Sequence, residues 1–221
     1  MQLSIAPEKA DPLPIRNGDS RCCYHSGVSG ASNSSPSRKL HTVFLDRDGV
    51  LNEKMPEGEY VRSARDLRVL PGVAEAVARL NRAGMRTIVV SNQRGIALGL
   101  YTAADVEAIH AELQGTLASR GGRIDGFFYC PHGEDECNCR KPLGGLFEQA
   151  AARFPDIEAR SSVMIGDSLS DIEFGQRLGM RTVFLEGDPQ RRKSGASRAS
   201  ELADLQFQSL PEAVDALIDG D

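Results

Sequence analysis

Short continuous apolar runs alternate along the chain with longer stretches in which apolar residues recur every three or four positions. Thr42-Val43-Phe44-Leu45 ends at Asp46, and Arg86-Thr87-Ile88-Val89-Val90 ends at Ser91. Ile124 to Tyr129, Val163-Met164-Ile165 and Thr182 to Leu185 repeat the pattern. Unbroken apolar runs of this length read as strands buried on both faces. Between them, Gly72 to Ala83 sets Val73, Ala76, Val77 and Leu80 on one helical face. A second helix, with Thr102 as N-cap, carries the stripe Val106, Ile109, Leu113 and Leu117. Further helices are expected over Leu146–Phe154, about Asp171–Leu178 and Pro211–Ile218. Strand and helix in alternation predict an α/β fold, a doubly wound parallel sheet, and in such sheets ligands bind beyond the carboxyl ends of the strands.

Residues 1–39 do not share this alternation. Ser26 to Ser37 is rich in Gly and Ser without apolar periodicity, so it has too little to bury to offset the entropy of ordering, and the stretch is expected to be a disordered N-terminal arm ahead of a single domain over 40–221. A second weak tract, Pro189 to Gly195, carries Arg191-Arg192-Lys193 and is expected to be a loop with solvated charges. The histidines His25, His41 and His110 have no evident partners and are assigned to the surface or its boundary.

Composition narrows the function. The 221 residues hold 26 Lys plus Arg against 31 Asp plus Glu, a net charge of −5, with 5% aromatics and no Trp. That is a poor footprint for nucleic-acid binding. No apolar run approaches the roughly 18–20 residues that span a bilayer, and the N-terminus lacks the apolar core of a secretion signal. The expectation is a cytoplasmic protein with a small-molecule ligand and no nucleic-acid, membrane or obligate protein partner.

The chemistry gathers just past the strands. Asp46-Arg47-Asp48-Gly49-Val50 leaves the first with two carboxylates two residues apart. Alone, such a pair is more often a turn, but a nucleophilic aspartate beside a protonatable one is also what transfer through an aspartyl-phosphate needs. Ser91-Asn92-Gln93 follows the second strand, a hydroxyl and two amides that suit phosphate oxygens or simply a turn. Arg140-Lys141 stands where a helix is expected to begin, a position at which cations are disfavoured unless they face an anion. Gly166-Asp167-Ser168-Leu169-Ser170-Asp171 supplies two further carboxylates, and Mg²⁺ is commonly held by one or two carboxylates with waters and phosphate oxygens. Each signal is weak singly. Their order at successive strand ends is not.

The five cysteines divide into Cys22-Cys23, with no nearby ligands, and a cluster. Cys130-Pro131-His132, with Cys137 and Cys139, offers three thiolates and an imidazole, a set suited to tetrahedral Zn²⁺ in a structural role.

Asp46-Arg47-Asp48-Gly49-Val50, Ser91, Lys141 and Gly166-Asp167 with Asp171 resemble the four motifs of the haloacid dehalogenase superfamily. The resemblance covers roughly His41 to Gly187 and implies a Rossmann-like domain that hydrolyses a phosphate monoester with Mg²⁺. It implies Asp46 as nucleophile, Asp48 as general acid and base, and Ser91 and Lys141 as holders of the transferred phosphoryl group. Asp46, the Asp48 carbonyl and Asp167 would ligate Mg²⁺, with Asp171 supporting from behind. The cysteine loop followed by Arg140-Lys141-Pro142, together with Ser91-Asn92-Gln93-Arg94-Gly95-Ile96-Ala97, is similar to the D-glycero-D-manno-heptose-1,7-bisphosphate phosphatase family. The histidinol-phosphate phosphatases share most of this pattern. Within that likeness Arg140 reads a distal anionic group of a phosphorylated sugar. Asn92, Gln93 and Arg94, and the Lys54 to Glu57 stretch, line the pocket, and no large cap domain covers it. Arg94 and Leu98 depart from the family's usual residues. A zinc-braced interaction module without catalysis is the reading from another class, and it is disfavoured because no expected catalytic position is missing.

Overall fold

A computed structural model describes residues 40–56, 58–192 and 194–219. The expected arm, with Cys22, Cys23 and His25, lies outside the described residues, as do Glu57 and Lys193. The order of elements is β1 (Thr42–Leu45), α1 (Val73–Arg82), β2 (Arg86–Asn92), α2 (Ala103–Ala118), β3 (Gly126–Cys130), α3 (Gly145–Arg153), β4 (Ser162–Gly166), α4 (Leu169–Leu178), β5 (Arg181–Leu185), α5 (Ala196–Leu202), β6 (Leu205–Phe207) and α6 (Leu210–Asp219). The strands form one sheet in the order β3-β2-β1-β4-β5-β6, every pair parallel.

The unbroken apolar runs follow from this arrangement. Val43 and Leu45 of β1, Val89 of β2 and Val163 and Ile165 of β4 pack on one side of the sheet, against Val77 and Leu80 of α1, Ile109, Leu113 and Leu117 of α2, and Val214 and Leu217 of α6. Phe44, Ile88, Val90 and Met164, the alternate positions, pack on the other side against Leu146 and Ala150 of α3 and Phe174 of α4. Both faces are covered, so neither register of a strand can be polar. Helix α2 starts as the sequence suggests. The Thr102 hydroxyl accepts from the Asp105 amide at 3.2 Å and the Asp105 carboxylate accepts from the Thr102 amide at 2.8 Å.

Four expectations need correction. The sheet has six strands, not five: β6 is three residues long and partly exposed at the sheet edge, too short and too polar to register as an apolar run. The Pro189–Gly195 tract is not irregular throughout, because Asp188 caps a short 3₁₀ turn over Pro189–Arg191 before the loop that leads to α5 at Ala196. Arg140 and Lys141 do not open a helix, since α3 begins only at Gly145. His110 is buried, stacked on Phe127 with ring centroids 4.5 Å apart and edge-on to Tyr129; burial pushes its pKa down to about 3, so it packs as a neutral aromatic ring.

Strand β1 sits between β2 and β4. The chain therefore winds outward through β2 and β3, then returns across β1 to start β4. That reversal of winding leaves a crevice at the carboxyl ends of β1, β2 and β4. Asp46, Ser91 and Asp167 stand at those ends.

Candidate active site

Asp46 leaves β1 with its amide donating to the Ile165 carbonyl at 3.0 Å, so its backbone is an extension of the ladder. Two glycines then let neighbouring acids approach. Gly49 has φ +98°, and a Cβ there would stand 2.1 Å from an Asp167 carboxylate oxygen; a Cβ at Gly166 would stand 2.2 Å from the Asp171 Cβ. One carboxylate oxygen from each of Asp46, Asp167 and Asp171 lies within 4.8 Å of the others.

Three carboxylates this close repel unless cations intervene. Lys141 is the first. Its Nζ donates to Asp46 Oδ1 at 2.9 Å and to the Val90 carbonyl at 2.6 Å, and lies 2.7 Å from Asp171 Oδ1. Burial works against its charge, but Asp171 and Asp46 outweigh burial and raise its pKa, so the ammonium is held. Burial raises the pKa of Asp46 despite Lys141. Lys54 is the second cation, buried and in direct contact with Asp167 Oδ2. Even so, burial and the acids Asp46 and Asp171 push Asp167 up to about 6. Its Oδ1 is buried and has no hydrogen-bond partner among the described residues. An orphaned, reluctantly ionised oxygen beside two further carboxylates is a donor set fitted to a small, hard divalent cation such as Mg²⁺.

Asp48 has a different environment. Arg47, wholly buried, donates through Nε and Nη2 to Oδ1 at 3.2 and 3.0 Å and through Nη2 to Oδ2 at 2.8 Å, while Asn52 Nδ2 donates to Oδ1 at 2.9 Å. Burial alone would raise Asp48, yet Arg47 and these hydrogen bonds hold its carboxyl below the ordinary value. With both oxygens so engaged, the Asp48 group that remains for a cation is its main-chain carbonyl.

The residues after β2 serve mainly to position others. Asn92 spends its amide on the backbone of Lys141, donating to the carbonyl at 3.0 Å and accepting from the amide at 2.9 Å. Gln93 is buried; its Nε2 donates to Ser91 Oγ at 2.7 Å and to Asp48 Oδ2 at 3.3 Å, and its Oε1 accepts from Arg47 and from the Tyr101 hydroxyl. Ser91, Asn92, Gln93, Arg94, Arg140 and Lys141 all border one cavity of about 600 Å³ with Asp46 and Asp48. At its rim Arg94 pairs with Glu134 at 2.9 Å, and Arg140 stands 4.0 Å from the same carboxylate. Asp171 also caps α4, its Oδ2 accepting from the Ser168 amide and hydroxyl.

The cysteine loop closes on itself. Cys130 at the end of β3 is 3.4 Å from Cys137 and 3.7 Å from His132 Nδ1, and Cys139 is 3.3 Å from Cys137 and 3.4 Å from His132 Nδ1. Four ligands at bond lengths near 2.3 Å around a tetrahedral ion would be spaced by about 3.8 Å or a little less. The four atoms therefore form a compact cage sized for such an ion, and Arg140-Lys141 leave it directly.

Some participants are not legible in the sequence. Arg47 stands between its two aspartates without an assigned role, although a cation buried at a strand end is as informative as the acids beside it. Asn52, Tyr101 and Lys54's tie to Asp167 depend on the path of the chain, and no spacing signals them.

Residues 138–213 match a family described as HAD-hydrolase-like. The D-glycero-alpha-D-manno-heptose-1,7-bisphosphate 7-phosphatase of Mycobacterium tuberculosis is 42% identical over 171 residues, 77% of this chain and 87% of that protein. The chain belongs to the heptose-bisphosphate phosphatase family of haloacid dehalogenase-like hydrolases. The beta-heptose enzyme of Bordetella bronchiseptica is 39% identical over 182 residues, covering 79% of this chain and all of that one. A crystal structure of the D,D-heptose 1,7-bisphosphate phosphatase from B. bronchiseptica, complexed with magnesium and phosphate, superimposes with a TM-score of 0.73 at 32% identity, covering 82% of this chain and 100% of that chain. The family resemblance read from the motifs and the α/β fold read from the apolar pattern are thus both shown. As a family member the chain is a phosphoric monoester hydrolase. Among the described residues, no helix is long and apolar enough to cross a membrane.

Proposed function

We propose that this protein removes the 7-phosphate from D-glycero-D-manno-heptose 1,7-bisphosphate, acting in the cytoplasm on a free small molecule and without a macromolecular partner. The observation that carries the reading is Lys141. It joins the nucleophile candidate Asp46 to Asp171 at the floor of a cavity whose rim bears Arg94 and Arg140, so there is a reacting centre and, away from it, a place for a second anion.

Asp46 Oδ1 accepts from Lys141, which leaves Oδ2 to attack phosphorus. As the Asp46 O–P bond forms and the bond from phosphorus to the sugar oxygen breaks, Asp48 gives its proton to that leaving oxygen. In the second step Asp48 takes a proton from water, the water oxygen bonds to phosphorus, and the bond from phosphorus to Asp46 breaks. Arg47 keeps Asp48 ionised in the free protein. An incoming phosphoryl dianion raises the proton affinity of a carboxylate beside it, so Asp48 takes up a proton from solvent as the substrate binds and can then act as the acid. Ser91 and Lys141 hold the phosphoryl oxygens, Lys141 offsetting the charge that develops on them. Asp46, Asp167 and the Asp48 carbonyl would hold Mg²⁺, which supplies further neutralisation of phosphoryl charge when bound. Asp171 acts through Lys141 and the start of α4. Cys130, His132, Cys137 and Cys139 would hold a structural Zn²⁺ that fixes the segment carrying Arg140 and Lys141.

Phosphate release from heptose 1,7-bisphosphate, histidinol phosphate and a 3′-phosphorylated oligonucleotide, with and without Mg²⁺, tests this reading. The bisphosphate is expected to be turned over fastest and only with metal, and Asp46→Asn to lower kcat by about 10⁴-fold or more. Full activity in that variant, or faster turnover of histidinol phosphate, overturns it.

A further inference from the structure

The sequence singled out a basic tract after β5 that neither the motifs nor the proposed chemistry uses. Its described residues are mostly exposed, yet they do not all face open solvent. Gln190, Arg191, Arg192 and Ser194 border the same cavity of about 600 Å³ as Asp46 and Lys141. Arg191 is anchored there, donating through Nη1 to the Lys54 carbonyl at 2.5 Å, with Glu53 at 3.4 Å and its Nε 3.5 Å from Asp188. Arg192 donates through Nε to the Glu186 carbonyl at 3.2 Å and through Nη2 to the Glu186 carboxylate at 2.7 Å.

These partners do not take up every donor of the two arginines. Glu53, Glu186 and Asp188 border a separate cavity of about 160 Å³, which Asp167 also lines, and none of the three borders the cavity of Asp46. Arg191 and Arg192, with Lys54, line both spaces. Arg191 Nη2 and Arg192 Nη1 have no hydrogen-bond partner among the described residues. A guanidinium tethered through its other nitrogens has already lost much of its rotamer freedom and keeps a free N–H group for an anion. Both lie about a third exposed or slightly more, open enough to be reached.

We infer that Arg191 and Arg192 form an anion-binding wall across the cavity mouth, which contacts the phosphate of the substrate that is not hydrolysed. The inference rests on the proposed function, because it requires a substrate with a second phosphate. It makes the segment after β5 a specificity-determining element, joined to the Lys54 loop through the Arg191 hydrogen bond. The product keeps the non-reacting phosphate, so the same wall holds the product until it leaves.

The test compares kcat/KM for heptose 1,7-bisphosphate and for the same sugar carrying only the 7-phosphate, in the wild type, Arg191→Gln and Arg192→Gln. Loss of a charge-assisted contact lowers the bisphosphate-to-monophosphate ratio by about 10-fold or more, mostly through KM, and weakens inhibition by the sugar 1-phosphate product to a similar degree. Arg192→Gln leaves the Lys54 bond of Arg191 intact, so it separates recognition from support of that loop. An unchanged ratio, or equal losses on both substrates in both variants, overturns the wall. If the wild type does not hydrolyse the bisphosphate, the proposed function falls and the wall's assignment falls with it. If the wild type hydrolyses it and the variants keep the ratio, only the wall falls.

Discussion

At the floor of the cavity Arg47 meets Asp48 at 2.8 Å with side chains 1% and 27% exposed; at the rim Arg94 meets Glu134 at 2.9 Å with side chains 42% and 64% exposed. The two pairs have the same chemistry and nearly the same length. Their surroundings make them different objects. At the rim, water screens both charges and the pair forms and breaks at little cost. At the floor Arg47 has no access to water and Asp48 only partial access, so removing one leaves the other poorly compensated. The floor can therefore fix protonation states, as it does for Asp48 and Lys141. The rim can only bias where an anion settles. A site built this way keeps its chemistry rigid and its recognition adjustable.

That contrast can be broken in three ways. The largest effect is expected from Arg47→Leu, which leaves the half-buried Asp48 carboxylate without its guanidinium; unfolding free energy should fall by about 3 kcal/mol or more. Chemical denaturation measures this, and a loss under about 1 kcal/mol would mean that the floor is as well hydrated as the rim.

Next comes Asp167→Asn, compared with the wild type in metal-free buffer. The wild-type carboxyl is pushed up to about 6 from 3.8, so its folded form holds a proton that the unfolded chain releases earlier. Its contribution to stability is therefore fully present at low pH and is lost as pH rises between about 4 and 6. The stability of Asp167→Asn relative to the wild type should climb through that window by about 3 kcal/mol and level off above it. The slope is the diagnostic, because Lys54 also loses its carboxylate partner in the variant. A flat difference from pH 4 to 7 contradicts the burial argument. Saturating Mg²⁺ should flatten the wild-type curve, since the cation favours the ionised form.

The smallest effect belongs to the rim. Glu134→Ala should change stability by less than about 1 kcal/mol while freeing Arg94 and Arg140 for anions, which lowers KM for a bisphosphate. Thermal unfolding together with KM checks both halves, and a large loss of stability would show the rim to be structural.

Much of this protein is legible in its amino-acid order. Continuous apolar runs demand strands covered on both faces, and the acids, hydroxyl and cations standing just past those runs mark the catalytic end of the sheet. The cysteine loop declares itself by composition. What stays hidden has a common physical character. Strand β6 and helix α5 are short and marginally apolar, so context rather than periodicity makes them form. Asn92 and Gln93 carry the right groups for substrate, and only their hydrogen bonds reveal that they mostly hold Lys141, Ser91 and Asp48. His110 lacks any local sign of burial; Phe127 and Tyr129 bury it from a strand reached after α2 ends.

Alone, then, the sequence determined which segments pack and which residue types stand at the strand ends, because local periodicity and the cost of burying charge are properties of short stretches. Tertiary structure decided which charges neutralise which. Lys141 lies 95 residues from Asp46, Lys54 lies 113 from Asp167, and Arg191 lies 137 from Lys54. Pairings at such separations follow from the order in which the strands are wound, and electrostatic energy depends on distance and burial, which no spacing along the chain records.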